Sequence, residues 1–242
     1  MPPYEERFYR RKVNAGDLVS FHVAVKETDL WVSADLNLEK ETRDLIFACR
    51  QQLETYIRMH PKFSISLMPW PEDPFAPPIV KKMIDATRGL GVGPMASVAG
   101  AIAQHIAEGL LRFTDQVIVE NGGDIFLRTN RSATVSIFAG SSPLSEKFGL
   151  TIPERLMPLG VCSSSAKVGH SLSMGIADVC CLLSPSAVLA DAAATSFGNK
   201  IKRKEDLETV AEWATQIEGI IGYVFIVEDS MAVWGDIELV NL

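Results

Sequence analysis

The chain predicts an α+β layered domain. Strands and helices mix without the strict strand–helix–strand alternation of a parallel sheet, hairpin-type turns recur along the chain, and there is no internal repeat. A proline-dense break, Met68 to Pro78, holds five of the thirteen prolines and can be neither regular helix nor central strand. It divides an N-terminal layer, 1–67, from a main portion, 79–242, within what reads as a single domain.

Leu18 to Val25 and Leu30 to Ala34 read as a hairpin turning at Lys26 to Asp29. Leu45, Cys49, Leu53 and Ile57 then repeat at four-residue spacing, which predicts a helix that Asn37 can cap. Phe63 to Leu67 reads as a strand. Beyond the prolines, a helix from Ile79 to Arg88 closes at Gly89. A second runs from about Ala96 to Phe113, with Val98, Ile102, Ile106, Leu110 and Phe113 on its apolar side and Ser97, Gln104, Glu108 and Arg112 opposite. Gln116 to Glu120 and Ile125 to Arg128 predict strands flanking Asn121-Gly122-Gly123-Asp124, and Thr134 to Ala139 another. Gly160 to Ser173 is small, polar and loop-like, and Ile176 to Leu183 has the character of a buried strand. Ser184-Pro185 supplies an N-cap and first-turn proline for a helix ending near Gly198. Lys204 to Gln216 reads as a helix, and Ile220 to Val227 with Met231 to Leu239 as a closing hairpin.

Composition narrows the partners. Of 242 residues, 47% are hydrophobic and 22% charged, a soluble globular balance. Twenty-three basic against thirty acidic side chains leave a net charge of −7, which disfavours a nucleic-acid partner. Two basic clusters, Arg7/Arg10/Arg11/Lys12 and Lys200/Lys202/Arg203/Lys204, read as solvated surface. No apolar run approaches a membrane span and no signal peptide is visible, so no membrane association and a cytoplasmic location are expected. Cys49, Cys162, Cys180 and Cys181 show neither C-x-x-C nor metal-ligand spacing.

Three stretches can carry chemistry. In Ala187 to Phe197, Asp191 is the sole charge in a run of small residues, and Thr195 lies on the same helical face one turn on. Such a pair can offer two oxygens to a hard cation such as Mg²⁺; equally, Asp191 can be a buried carboxylate bonded to a neighbouring loop, with Thr195 bonding back to its own helix. Asn121-Gly122-Gly123-Asp124 is a tight hairpin turn, or a strand end whose glycine amides admit a phosphate or flat ring, with Glu120 and Asp124 at its rim. Cys162-Ser163-Ser164-Ser165, Lys167 and His170 can wrap a phosphate, or supply Ser164 or Ser165 with His170 for hydrolysis, although the Gly-x-Ser-x-Gly elbow is missing. Cys162 is either a reactive thiol or simply buried. Gly89-Leu90-Gly91-Val92-Gly93-Pro94 lacks the last glycine of the dinucleotide fingerprint and follows a helix, and no P-loop exists.

In order, Gly93-Pro94-Met95-Ala96, Val119-Glu120-Asn121-Gly122-Gly123-Asp124, Val161-Cys162-Ser163-Ser164 with His170, and Ala190-Asp191-Ala192-Ala193-Ala194-Thr195 resemble the motifs of the ApbE-like superfamily, best known for Mg²⁺-dependent FAD:protein FMN transferases. The resemblance implies a T-fold-like arrangement, with Mg²⁺ on Asp191 and Thr195 together with the Ala96 carbonyl. It also implies FAD or FMN over the Gly-Gly strand end and the serine loop, and a homodimer. The sequence departs from the transferase pattern. Ser97-Val98 stands where the family has a lysine, and His170-Ser171-Leu172-Ser173-Met174-Gly175 lacks the Asp-Pro of the family signature. The chain is therefore similar to the uncharacterised branch of the superfamily linked to sulfide-dependent homocysteine formation.

Three functions follow as expectations. The first is a binding protein for a flavin-type or other phosphorylated small molecule, without full FMN transfer, working beside a protein partner in sulfur metabolism. The second is an active Mg²⁺-dependent flavin transferase or FAD pyrophosphatase. The third is a sulfur-handling enzyme with Cys162 as nucleophile, activated by Lys167 or His170.

Overall fold

A computed structural model describes residues 16–166 and 174–242. Eleven strands and five α-helices are seen among them, and the sequence-predicted α+β class holds. Eight strands form one sheet in the order β1-β2-β3-β4-β7-β8-β9-β10, and β11-β6-β5 form a second. Every recorded strand pairing is antiparallel.

The N-terminal hairpin pairs β1 (Val19–Val25) with β2 (Thr28–Ala34), and Lys26 takes a positive φ at the turn. Helix α1 (Glu39–Met59) buries Ile46, Cys49, Leu53 and Tyr56. Asn37 Oδ1 accepts the Glu39 N–H at 2.9 Å and so helps close its first turn. Phe63 to Leu67 is not a strand. Pro61–Ser64 forms a 3₁₀ turn, stabilised by Phe63 packing edge-on against Tyr56 and Trp70. Helix α2 (Pro78–Arg88) follows the proline segment.

The second predicted helix divides in two. Pro94–Ser97 is a 3₁₀ turn and α3 spans Val98–Leu110. Its expected amphipathic split holds at Ile102, Ile106, Leu110, Glu108 and Arg112 but is corrected at three positions: Ser97 and Gln104 are buried, while Phe113 is exposed. The cause is that the first part of α3 lies between the sheet and other helices, so the polar residues there are covered by protein. Strands β3 (Val117–Asn121) and β4 (Asp124–Arg128) are joined by the two-residue turn Gly122-Gly123, both with positive φ, a conformation that glycine adopts without a Cβ clash.

Beyond β5 (Ala133–Ser136) comes β6 (Phe148–Ile152), which sequence reading missed. The predicted loop from Gly160 begins instead as strand β7 (Leu159–Ser164), held between β4 and β8 (Val179–Ser184). Residues 167–173, including Lys167 and His170, lie outside the described residues. The N-cap of α4 (Ala187–Lys200) is Ser186, whose Oγ accepts the Leu189 N–H, rather than Ser184. Helix α5 (Asp206–Ala214) precedes the hairpin of β9 (Gly222–Val227) and β10 (Ser230–Gly235). Then β11 (Glu238–Asn241) crosses to the smaller sheet.

Two cores sort the large sheet's faces. Val117, Val119, Phe126, Cys162, Cys180 and Leu182 pack with all five helices. Ile118, Ile125, Leu127, Val161, Cys181 and Leu183 pack against the small sheet. Because side chains alternate along a strand, Asn121, Asp124, Cys162 and Ser164 lie on the helix face, and Glu120 and Ser163 on the other. Among the described residues, no helix is long and apolar enough to cross a membrane.

Candidate cation and ligand site

Helix α4 is packed so tightly that small residues are obligatory around its start. A Cβ on Gly160 of β7 would lie 2.3 Å from the Ala187 Cα, and one on Gly100 of α3 would lie 2.4 Å from the Ala187 carbonyl oxygen. This approach brings Asp191 against the first turn of α3. Its Oδ2 accepts the Gly100 N–H at 2.8 Å, and its carboxyl also receives the Ala99 N–H. These amides belong to the α3 end that has no intrahelical acceptor, where a negative group is favoured.

One turn along α4, Thr195 Oγ1 donates to the Ala96 carbonyl oxygen at 3.5 Å, the long limit for such a bond. Thr195 and Ala96 are both half-buried. Carboxylate, hydroxyl and backbone carbonyl thus come together from α4 and the turn before α3. Three hard oxygen donors fit Mg²⁺ by chemistry, and the set contains only one carboxylate. Among the described residues, no cluster of three or more His, Cys, Asp or Glu offers a metal site of the usual kind.

The Asn-Gly-Gly-Asp turn sits beside this set. Asn121 Nδ2 donates to the Ala99 carbonyl at 3.1 Å, Glu120 Oε1 accepts the Gly123 N–H at 2.6 Å, and Asp124 Oδ1 accepts the Ser163 N–H at 3.0 Å. The Gly123 amide, expected to be open to a phosphate, is therefore committed to a carboxylate.

Two buried acids meet here. Burial pushes Asp124 well above the usual carboxylate range, and the nearby Asp191 charge pushes it further; the Ser163 amide pulls the other way. Burial also pushes Asp191 up, to about 7, against the pull of the Gly100 and Ala99 amides. A site holding two such acids in low dielectric gains from a bound cation, which relieves their mutual repulsion.

Cys162 lies at the floor of the same region, fully buried, its Sγ donating to the Ala187 carbonyl at 3.4 Å. Burial pushes its thiol up, and the Asp124 and Asp191 charges add to this, the opposite of what an activated thiolate requires. Ser164 is buried on the helix face, Ser163 contacts Cys181 on the opposite face, and Ser165 is half-buried just past β7. Asp191, Thr195, Ala96, Asn121, Asp124 and Cys162 are thus gathered together, while Ser163 points away. Sequence reading missed the amides of Ala99 and Gly100. The one available signal was a glycine inside an alanine-rich helix, which marks close backbone approach.

A family model described as AbpE bacteria matches residues 10–219. A UPF0280 protein of Methanocella arvoryzae is 40% identical over 212 residues, covering 87% of this chain and 86% of that protein. A UPF0280 protein of Methanocaldococcus jannaschii is 36% identical over 226 residues, covering 90% and 92% respectively. In fold, the chain is similar to the apo flavinyl transferase ApbE of Pseudomonas stutzeri, with a TM-score of 0.61, 13% identity, and coverage of 90% of this chain and 94% of that one. With the family model spanning most of its length and relatives this close, the chain belongs to the AbpE family, on the ApbE flavin-transferase fold.

Proposed function

We propose that the chain binds Mg²⁺ through Asp191, Thr195 and the Ala96 carbonyl, and through it the diphosphate of a flavin-type or other phosphorylated ligand, without full FMN transfer. The supporting observation is the convergence of Thr195 Oγ1 and Ala96 O to 3.5 Å, with Asp191 one turn away on the same helix. When bound, the cation supplies charge neutralisation for a diphosphate. The chain's own residues orient and shield the site. The Gly100 and Ala99 amides hold the Asp191 carboxylate, and the buried alanines of α4 exclude water behind it.

Ser97 is the residue that separates binding from transfer. It stands where the transferase resemblance expects lysine. It is fully buried, and its Oγ donates to the Pro94 carbonyl at 2.8 Å. No cation from that position meets a departing phosphate. A role beside a sulfur-metabolising partner fits a ligand carrier better than a thiol enzyme, since Cys162 is sealed beneath α4.

Incubation with FAD and Mg²⁺ tests the reading, with bound nucleotide measured by fluorescence and AMP by chromatography. Mg²⁺-dependent FAD binding that is lost in Thr195→Ala, with no AMP released, supports it. AMP release that disappears in Asp191→Asn favours the active transferase or pyrophosphatase, the alternative kept open by the retained Asp191 and Thr195. Absence of Mg²⁺-dependent binding removes both.

A further inference from the structure

We infer that the Asn121-Gly122-Gly123-Asp124 strand end is a brace for the cation site rather than a ligand contact, with Asn121 as the positioning residue for the Ala96 carbonyl. The inference rests on the cation reading above and deepens it. Three contacts of the turn each engage backbone, and Asp124 also meets the Cys162 thiol. Asn121 Nδ2 donates to the Ala99 carbonyl, the Gly123 N–H to Glu120 Oε1, and the Ser163 N–H to Asp124 Oδ1. Asn121 and Asp124 are both buried, and Glu120 adds a third acidic or amide side chain that offers a phosphate no cation. A phosphate on the helix face of the turn would meet the Asp124 carboxyl, and the Gly123 amide has already been taken by Glu120.

The Asn121 bond reaches the segment that matters. Ala96 to Gly100 is held at three points: Thr195 Oγ1 at the Ala96 carbonyl, Asp191 at the Gly100 amide, and Asn121 at the Ala99 carbonyl. The first two come from α4, which carries the other two cation donors. Asn121 alone of the three comes from the sheet. It therefore fixes the height of the turn that presents the Ala96 oxygen, as outer partners orient the ligands of metal sites.

The test uses the full chain with Mn²⁺ as the probe. In Asn121→Ala and Asn121→Asp, Mn²⁺ affinity measured by electron paramagnetic resonance is expected to fall roughly 10–100-fold. The affinity for FMN or ADP measured in EDTA is expected to stay unchanged. Mn²⁺ binding equal to that of the parent chain, or a loss confined to nucleotide affinity in EDTA, overturns the assignment. Should the variants fold poorly, the Asn121 side-chain amide resonance of the unaltered protein carries the test. Bracing expects it to shift with Mg²⁺ alone, whereas a shift with ADP in EDTA and none with Mg²⁺ overturns it. Failure of the unaltered chain to bind Mn²⁺ overturns the cation reading itself and this assignment with it. Binding that both variants match overturns only the assignment.

Discussion

Asp191 Oδ2 accepts the Gly100 amide hydrogen at 2.8 Å, so a carboxylate from the middle of α4 closes the first turn of α3. The bond spans 91 residues of sequence and exists because Gly100 and Ala187 let the two backbones nearly touch. It answers in part an alternative that the sequence left open: Asp191 is a buried carboxylate bonded by a neighbouring element. That element is a helix turn rather than a loop, and Thr195 bonds to the Ala96 carbonyl rather than back to its own helix. That role and cation binding are compatible, because a carboxylate has about four lone-pair sites.

The contact predicts a steric penalty. Gly100→Ala would place a Cβ 2.4 Å from the Ala187 carbonyl and 2.8 Å from the Asp191 Cβ. Overpacking is expected to cost about 1–3 kcal/mol, more than the ~1 kcal/mol that alanine contributes to helix propensity. Urea denaturation should show a lower midpoint. Gly89→Ala, with no atom within 4 Å of its Cβ, should stay within about 0.5 kcal/mol.

The two buried acids predict a pH dependence. Both folded-state pKa values lie above the ordinary carboxylate value, that of Asp191 at about 7. The folded chain therefore holds protons that the unfolded chain has released. Their stabilisation is full below the unfolded pKa and is lost as pH rises through the folded pKa. In EDTA, the melting temperature should fall between about pH 5 and pH 7 through these groups. Asp35, Asp73 and Asp206 are shifted downward and act at lower pH, while His105, lowered by burial, acts in the opposite sense. Asp191→Asn isolates the effect and should flatten the slope; an identical slope in this variant would count against it.

Mg²⁺ should stabilise the fold by mass action. At a hundredfold excess over Kd, the gain is about 2.7 kcal/mol. For a chain of this size that corresponds to a rise in Tm of roughly 5–10 °C. Thr195→Ala should reduce the rise, and differential scanning fluorimetry with and without Mg²⁺ measures it. The rise should also be larger at pH 8 than at pH 5, since Asp191 must lose its proton to take a cation.

All four cysteines are buried, with thiols pushed up: Cys49 to about 12, Cys181 to about 11, and Cys162 and Cys180 upward as well. The native chain should resist iodoacetamide at pH 8, and the denatured chain should take up four labels, counted by mass spectrometry. Rapid native labelling at Cys162 would restore the sulfur-handling alternative.

Much of the fold was legible because its signals are local. Turn chemistry marks the Lys26 and Gly122-Gly123 hairpins, periodicity marks α1 and α2, and an isolated acid among alanines marks Asp191. Where the reading missed, a non-local force prevailed. Ser163 and Ser164 carry no strong strand signal, yet β8 pairs them with Cys181 and Cys180, and Asp124 Oδ1 accepts the Ser163 N–H from the β4 side. Ser97 and Gln104 look like solvent-facing positions, yet packing on both sides buries them.

Residue types and spacing were enough to nominate Asp191, Thr195 and the glycine turn. Which atoms they meet was settled by packing. Thr195 and Ala96 are 99 residues apart, and Asn121 and Ala99 are 22 apart. No pattern along a chain encodes those distances. They arise when two backbones, stripped of side chains at Gly100 and Gly160, close on Ala187 and carry the donor atoms with them.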